Sequence, residues 1–231
     1  ARLTMREASK TNLIREKSFA QAYLKGAVLD IGAGSDLVCP WALSFDVEDG
    51  DANHLSRYFN EESFDAVHSS HSLEHMENPF DAINQWWSLV KPGGFLILVV
   101  PEENLYEQGL WPSVFSDQHL STFRLGGETS WSPVSFEIKS LCQSLPHAEI
   151  VSASIQSNGY DHDLVFPKGV KPKKIKQPLK TLISMAKRVP MIGAQLKEGI
   201  LKKLIPFGYP YDQTQGSVLA QIEIIVKKAA K

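Results

Sequence analysis

The sequence predicts an α/β fold: a Rossmann-like, doubly wound sheet, mostly parallel, closed by an antiparallel C-terminal strand. Three observations carry this. A short apolar run, Val28-Leu29-Asp30-Ile31, stops at the glycine turn Gly32-Ala33-Gly34, as a buried parallel strand does before its crossover. A second run, Phe64 to Ser69, is followed by a helical pattern and then by the wholly apolar Phe95 to Val100, giving strands separated by a helix. Near the end, Val218, Ala220, Ile222, Ile224 and Val226 alternate, which is a strand period.

The elements follow in chain order. Residues 11–24 read as a helix, with Thr11 or Asn12 as cap and Leu13, Ala20 and Leu24 on one face. Strand one spans 27–31. Only about 30 residues separate Gly34 from Phe64, the length of a single βαβ unit. The chain there is therefore read as a short helical turn near 35–41, a brief strand ending at Asp46 and the loop Asp49-Gly50-Asp51-Ala52, with one strand–helix unit truncated or missing. Asn78-Pro79 starts a helix, Asn as cap and Pro at the first position, with Phe80, Ile83, Trp87 and Val90 at helical spacing. Lys91-Pro92-Gly93-Gly94 ends it. Residues 101–131 are a long aromatic and polar loop, of a length that is usually functional or disordered. Ser132-Pro133 is read as the start of a helix burying Ile138, Leu141, Cys142 and Leu145. Strands at 148–156 and 217–226 complete the domain, which is taken as 1–231, with 158–216 as an insertion.

Composition bounds the function. The 231 residues are 43% hydrophobic and 22% charged, with a net charge of −2, so nothing global points to nucleic acid. Two cysteines, Cys39 and Cys142, give no disulfide or zinc-knuckle spacing and suit a reducing compartment. The longest apolar run is far too short to span a bilayer, and the charged start has no signal-peptide pattern. A cytoplasmic location is expected, with a peripheral position at the inner membrane face as a second reading. Charge is uneven. Between Lys168 and Lys203 lie eleven basic residues against the single acid Glu198, a net +10 that leaves −12 for the rest. Two amphipathic helices fit there, one after Pro178 and one carrying Leu196, Ile200, Leu201 and Leu204. The segment 168–203 reads as a helical lid with a solvated lysine face, an anionic-membrane contact, or a polyanion-binding face.

The glycine turn alone also occurs in dinucleotide-binding proteins, but those expect a third glycine where this chain has Leu37. Two further blocks decide between the readings: Phe64-Asp65-Ala66-Val67-His68-Ser69-Ser70-His71-Ser72-Leu73-Glu74-His75, and Leu89-Val90-Lys91-Pro92-Gly93-Gly94-Phe95-Leu96-Ile97. Together with Val28 to Gly34 they resemble the class I S-adenosylmethionine-dependent methyltransferases over about residues 23–104. The resemblance implies S-adenosylmethionine as cofactor. Asp30, Gly32, Ala33 and Gly34 would line its methionine and ribose, Asp46 would be the ribose-binding acid, Asp51-Ala52 would meet the adenine, and Ser70 and His71 would close over it. The residue types agree: backbone N–H groups at a helix start after Gly34 suit a carboxylate, and an acid accepts from an ammonium or a ribose diol.

Methyl transfer to oxygen or nitrogen is an in-line displacement in which the protein aligns the reactants and excludes water. A hydroxyl acceptor also calls for a general base, usually His. His119, oriented by Asp117, is the first candidate and His71 the second. Glu102, Tyr106 and Trp111 lie in a stretch that loosely resembles small bacterial methyltransferases of surface-polysaccharide synthesis, and are candidate contacts to a sugar or glycan substrate. The alternative is a loop that only packs on the sheet edge. His68, His71 and His75 do not form a ligand pattern with Cys or a carboxylate, so no metal is expected, and Trp86 and Trp87 read as core. The leading function is O-methylation of a sugar or glycan precursor. RNA methylation through the basic insertion and a catalytically silent cofactor-binding module are the alternatives.

Overall fold

The computed structural model describes residues 7–164, 166–167, 169–173 and 193–230. Helices α1 (Glu7–Asn12) and α2 (Phe19–Tyr23) precede β1 (Val28–Ile31) and β2 (Leu43–Phe45). A 3-10 segment, Ala52–Arg57, leads to β3 (Phe64–Ser70), a second 3-10 turn, Leu73–His75, and α3 (Pro79–Ser88). Next come β4 (Val90–Pro101), a single π-turn at Glu103–Glu107, β5 (Thr122–Arg124), β6 (Ser135–Glu137) and α4 (Ile138–Gln143). Strand β7 (Ala148–Gln156), helix α5 (Gly193–Leu204), a 3-10 turn at Ile205–Phe207 and β8 (Gln221–Lys228) finish the chain. The main sheet has the order β2-β1-β3-β4-β8-β7. Strand β8 runs antiparallel to β4 and β7, while the β1–β2, β1–β3 and β3–β4 pairs are parallel. This is the mixed, Rossmann-like sheet that the sequence predicts. It is also shortened as expected: three residues of β2 and one 3-10 segment are all the regular structure between β1 and β3.

Alternation along the central strands fills two faces. Val67, Leu96, Leu98, Ile224 and Val226 point to the face covered by α3 and α4, where Ile83, Trp86, Trp87, Ile138 and Cys142 complete the larger core. Ala66, Ile97 and Ile225 point to the other, packed with Leu24, Val28 and Val38. Trp86 and Trp87 are core, as read from the sequence; each indole N–H donates to a carbonyl, of Ala52 and Pro146 respectively. Asn78 caps α3 by accepting from Phe80 N, with Pro79 at the first position. Phe80 itself is exposed. Lys91-Pro92-Gly93-Gly94 lies inside the long β4 rather than in a separate break.

Four local expectations give way. The helix over 11–24 is two short helices, because Thr11 Oγ1 bonds back to Glu7 O, Leu13 faces solvent, and Arg15 is drawn away to Glu223. No helix forms at 35–41: the Val38 N–H is taken by Asp30, and Pro40 lacks a donor and restricts Cys39. The helix placed at Ser132-Pro133 begins only at Ile138, capped by Glu137, since Ser135–Glu137 pair with β5 first. The final strand starts at Gln221 rather than 217 and is buried on both faces.

Of the inserted segment, α5 carries the predicted Leu196, Ile200, Leu201 and Leu204. The first proposed amphipathic helix, after Pro178, lies outside the described residues, as do Lys168, Lys174 and Lys176 before it. The described flanks are tied to the body of the domain. Tyr160 OH donates to Leu105 O, Gln108 Nε2 to Tyr211 O, and Lys10 Nζ to Thr214 O. Among the described residues no helix is long and apolar enough to cross a membrane.

Candidate functional site

A cleft opens at the C-terminal ends of β1, β2 and β3, where ligands sit in open α/β sheets. It is lined by Glu7 and Ala8 from α1, Asp30, Gly32, Ala33 and Gly34 from the first turn, Asp36, Asp46 after β2, and Ser70 and His71 after β3. Seven of the nine residues that the sequence assigns to the cofactor are therefore in one cavity. Gly32 has φ +75, and a Cβ there would meet Ser72 Oγ at 1.8 Å. The turn thus requires glycine on both conformational and steric grounds. Ser70 Oγ is buried and has no partner among the described residues. An orphaned hydroxyl in a cleft floored by glycine backbone and edged by acids fits a bound polar ligand.

Asp51 and Ala52 stand outside this cleft. Asp51 instead caps the 3-10 segment, accepting from Asn53 N and Nδ2 at 2.9 and 2.8 Å, and these bonds hold its carboxyl below the usual range. Ala52 O accepts from Trp86. Nor does a helix N-terminus follow Gly34, so the amides there belong to a turn.

Asp30 is 1% exposed and its carboxylate is already engaged. Oδ2 accepts from Val38 N and Oδ1 bonds His68 Nδ1, both at 2.6 Å. His68 Nε2 lies 3.3 Å from Arg15, whose guanidinium can only donate, so the imidazole carries its proton on Nδ1. Arg15 in turn pairs with Glu223 at 2.6 Å. This closed chain fixes the glycine turn from behind, and it places His68 apart from His71 and His75.

The second half of the site surrounds Glu74, which follows the cleft residue His71 by three positions. Glu74 is 1% exposed, and neither carboxylate oxygen has a hydrogen-bond partner among the described residues. Three imidazoles approach Glu74 Oε1: His71 Nδ1 at 3.6 Å, His75 Nε2 at 3.9 Å and His119 Nε2 at 3.9 Å. Burial pushes the Glu74 carboxyl up to about 8 and lowers His71 and His75. His119 is oriented by Glu107, whose Oε1 is 2.7 Å from Nδ1, and not by Asp117, which is exposed.

Of the predicted substrate contacts, Tyr106 stacks against His119 with centroids 5.1 Å apart and lies near His71. Glu102 is differently used: it is buried and caps the π-turn, accepting from Leu105 N and Asn104 Nδ2. Trp111 is half-buried beside a cis peptide bond to Pro112. Sequence reasoning missed Glu74 and Glu107. The spacing His71-x-x-Glu74-His75 was visible, but only the fold brings His119 and Glu107 to it.

The methyltransferase-domain family model matches residues 5–127, more than half of the chain. The chain belongs to that family. A SAM-dependent methyltransferase from Archaeoglobus fulgidus has the same fold, with a TM-score of 0.52 at 17% identity over 97% of this chain and 95% of that one. A SAM-dependent methyltransferase from Thermotoga maritima aligns over 96% and 87%, at 14% identity and a TM-score of 0.45. No curated protein matches in sequence. The methyltransferase is of the class I kind that the glycine turn and the Lys-Pro-Gly-Gly block resemble, and S-adenosylmethionine is its cofactor.

Proposed function

We propose that this methyltransferase acts on a hydroxyl of a sugar or glycan precursor, with a cleft histidine accepting the hydroxyl proton. S-adenosylmethionine supplies an already activated methyl group. The protein then has to align the acceptor oxygen with the methyl carbon, exclude water and take a proton. Gly32, Ala33 and Gly34 with Asp46 and Ser70 are the proposed contacts to the cofactor, and Asp30 is proposed to hold the turn for them.

The observation that carries the base assignment is the position and tautomer of His71. It lines the cleft, and its Nε2 is 3.0 Å from Gln221 Oε1. That amide is fixed, because Gln221 Nε2 donates to Thr11 Oγ1 and Gln156 Oε1. His71 therefore donates from Nε2 and keeps a lone pair on Nδ1. His119 is 9% exposed and, unlike His71, is not among the residues that line the cleft, which favours His71 over the sequence's first candidate. Tyr106, half-buried over the two rings, is the proposed platform for the acceptor. The insertion 158–216 is proposed as a lid, supported by the bonds that anchor its flanks beside Leu105 and Gln108.

The test is release of S-adenosylhomocysteine with a panel of nucleotide-linked sugars and glycan precursors, with RNA in parallel. Turnover on sugar hydroxyls is expected. His71→Gln should keep cofactor affinity within about tenfold while kcat falls at least a hundredfold, the usual weight of a positioned base. Unchanged turnover in His71→Gln rules out the base, and turnover on RNA alone rules out the sugar.

A further inference from the structure

We propose that Glu74, His75 and His119 bind a divalent transition-metal ion of the zinc class beside the methyl-transfer cleft. The ligating atoms of these three side chains all lie within 4.8 Å of one another. They come from two separate stretches of chain, the turn after β3 and the long segment after β4, and the fold brings them together.

Hydrogen bonds elsewhere on each ring leave both histidine nitrogens ready to ligate. His75 Nδ1 is 3.0 Å from Gln118 O. A carbonyl only accepts, so Nδ1 carries the hydrogen and the neutral ring presents its Nε2 lone pair inward. His119 Nδ1 is 2.7 Å from Glu107 Oε1, so its Nε2 lone pair also faces inward. A ring fixed on its outer nitrogen by a carboxylate or a carbonyl is the arrangement that orients metal-bound imidazoles. Both Nε2 atoms are 3.9 Å from Glu74 Oε1. In a tetrahedral site with bonds of about 2.0–2.2 Å, neighbouring ligand atoms stand roughly 3.3–3.5 Å apart. Each histidine nitrogen needs to close on Glu74 Oε1 by only about half an ångström, and the two nitrogens, within 4.8 Å of each other, by no more than about 1.5 Å, to share an ion.

The second observation is the carboxylate itself. Glu74 is among the most buried acids in the chain, and both its oxygens lack hydrogen-bond partners among the described residues. A buried carboxylate without a donor is costly unless something cationic accompanies it. No Lys or Arg contact to it is seen among the described residues, whereas imidazole lone pairs converge on it. Lone pairs repel a carboxylate and attract a metal ion, so one divalent cation satisfies all of these groups at once. Two imidazoles and one carboxylate suit zinc, cobalt, iron or nickel better than magnesium or calcium, which prefer oxygen. The three ligands leave coordination positions open, as a site that takes an exogenous oxygen ligand requires. The site adjoins the cleft through His71, whose Nδ1 is 3.6 Å from Glu74.

The binding is tested on the full chain after chelation and without S-adenosylmethionine, so its outcome is independent of the methyl-transfer reading. Zinc is titrated calorimetrically. Cobalt is titrated by visible absorption, where bands of a four- or five-coordinate nitrogen/oxygen site are expected at one ion per chain. Glu74→Gln preserves the shape and should weaken binding at least a hundredfold, as should His119→Ala. His147→Asn, at an exposed histidine remote from the group, should bind as the parent does. Absence of cobalt bands and of zinc heat in the parent chain overturns the proposal, and so does wild-type affinity in either ligand variant.

Discussion

The two halves of the site treat their buried polar groups in opposite ways. Behind the glycine turn, Asp30, His68, Arg15 and Glu223 form a closed chain in which each carboxylate has donors and the guanidinium has acceptors. Around Glu74 the chain is open: two carboxylate oxygens and one of Glu107 have no hydrogen-bond partner among the described residues. A closed network holds a shape, and it stabilises as long as every member remains. An open one waits for a ligand. The side with the glycine turn is accordingly built to be rigid, and the side around Glu74, the proposed acceptor half, has buried oxygens that a bound group would complete.

This contrast is broken most sharply by Arg15→Met. Removing the cation leaves Glu223 and His68 buried with acceptors unmatched, and breaking one partner of a buried pair costs about 3–5 kcal/mol. Denaturant titration should show that loss in the midpoint, and a loss under about 1 kcal/mol would mean that the chain is not a structural unit. Glu74→Gln in metal-free protein is the counterpart. It replaces an unpartnered carboxyl with an amide of the same shape, so the midpoint should stay level or rise. A large fall would show that Glu74 has structural partners after all.

The next effect is smaller in stability and larger in function. Gly32→Ala places a Cβ against Ser72 Oγ and forces a non-glycine residue to φ +75. A left-handed conformation of this kind costs about 1–3 kcal/mol. Calorimetry should find S-adenosylmethionine affinity down at least a hundredfold, because relief of the clash moves the turn that lines the cleft. Wild-type affinity in Gly32→Ala would separate the turn from cofactor binding.

What could be read from the sequence follows the same division. The cofactor half is local: Asp30 to Gly34 are consecutive, and an apolar run ending in glycines specifies a strand and its turn wherever it stands. The parallel strands, the Asn78-Pro79 helix start and the shortened path to Phe64 were legible for that reason. Asp30 is expected from the sequence to line the cofactor cleft, and it does, but nothing local reveals that Val38 and His68 also engage its carboxylate. The acceptor half depends on contacts across long separations. Glu107 and His119 are twelve residues apart in a segment without periodicity, and Glu74 lies further off still. Asp117 was nearer to His119 in sequence and therefore the natural partner to name, but its loop points it to solvent. Helix limits failed where a side chain outbid the local pattern, as with Arg15 and with the Asp30 bond to Val38.

The smallest expected effect lies at the opposite end of the sheet from both halves. Asp65, near the start of β3, accepts from Ala27 N at 2.8 Å and pairs with Lys91 at 2.9 Å. The Lys91 hydrogen bond holds its carboxyl below the ordinary range. A carboxyl lowered on folding stabilises the protein above its unfolded-state value, and that contribution disappears as pH falls through the folded-state value. The carboxylate is 41% exposed, so solvent screening limits the pair; exposed pairs are worth about 0–1 kcal/mol. Asp65→Asn should lower the midpoint by no more than this at pH 7 and converge with the parent in acid, as pH falls through the lowered folded-state value of the Asp65 carboxyl. Cofactor affinity, metal binding and turnover should all be unchanged, because Asp65 touches neither half of the site. A change in any of the three would mean that the two ends of β3 are coupled. The closed network around Asp30 would then be transmitting strain along the strand instead of isolating the cleft from it.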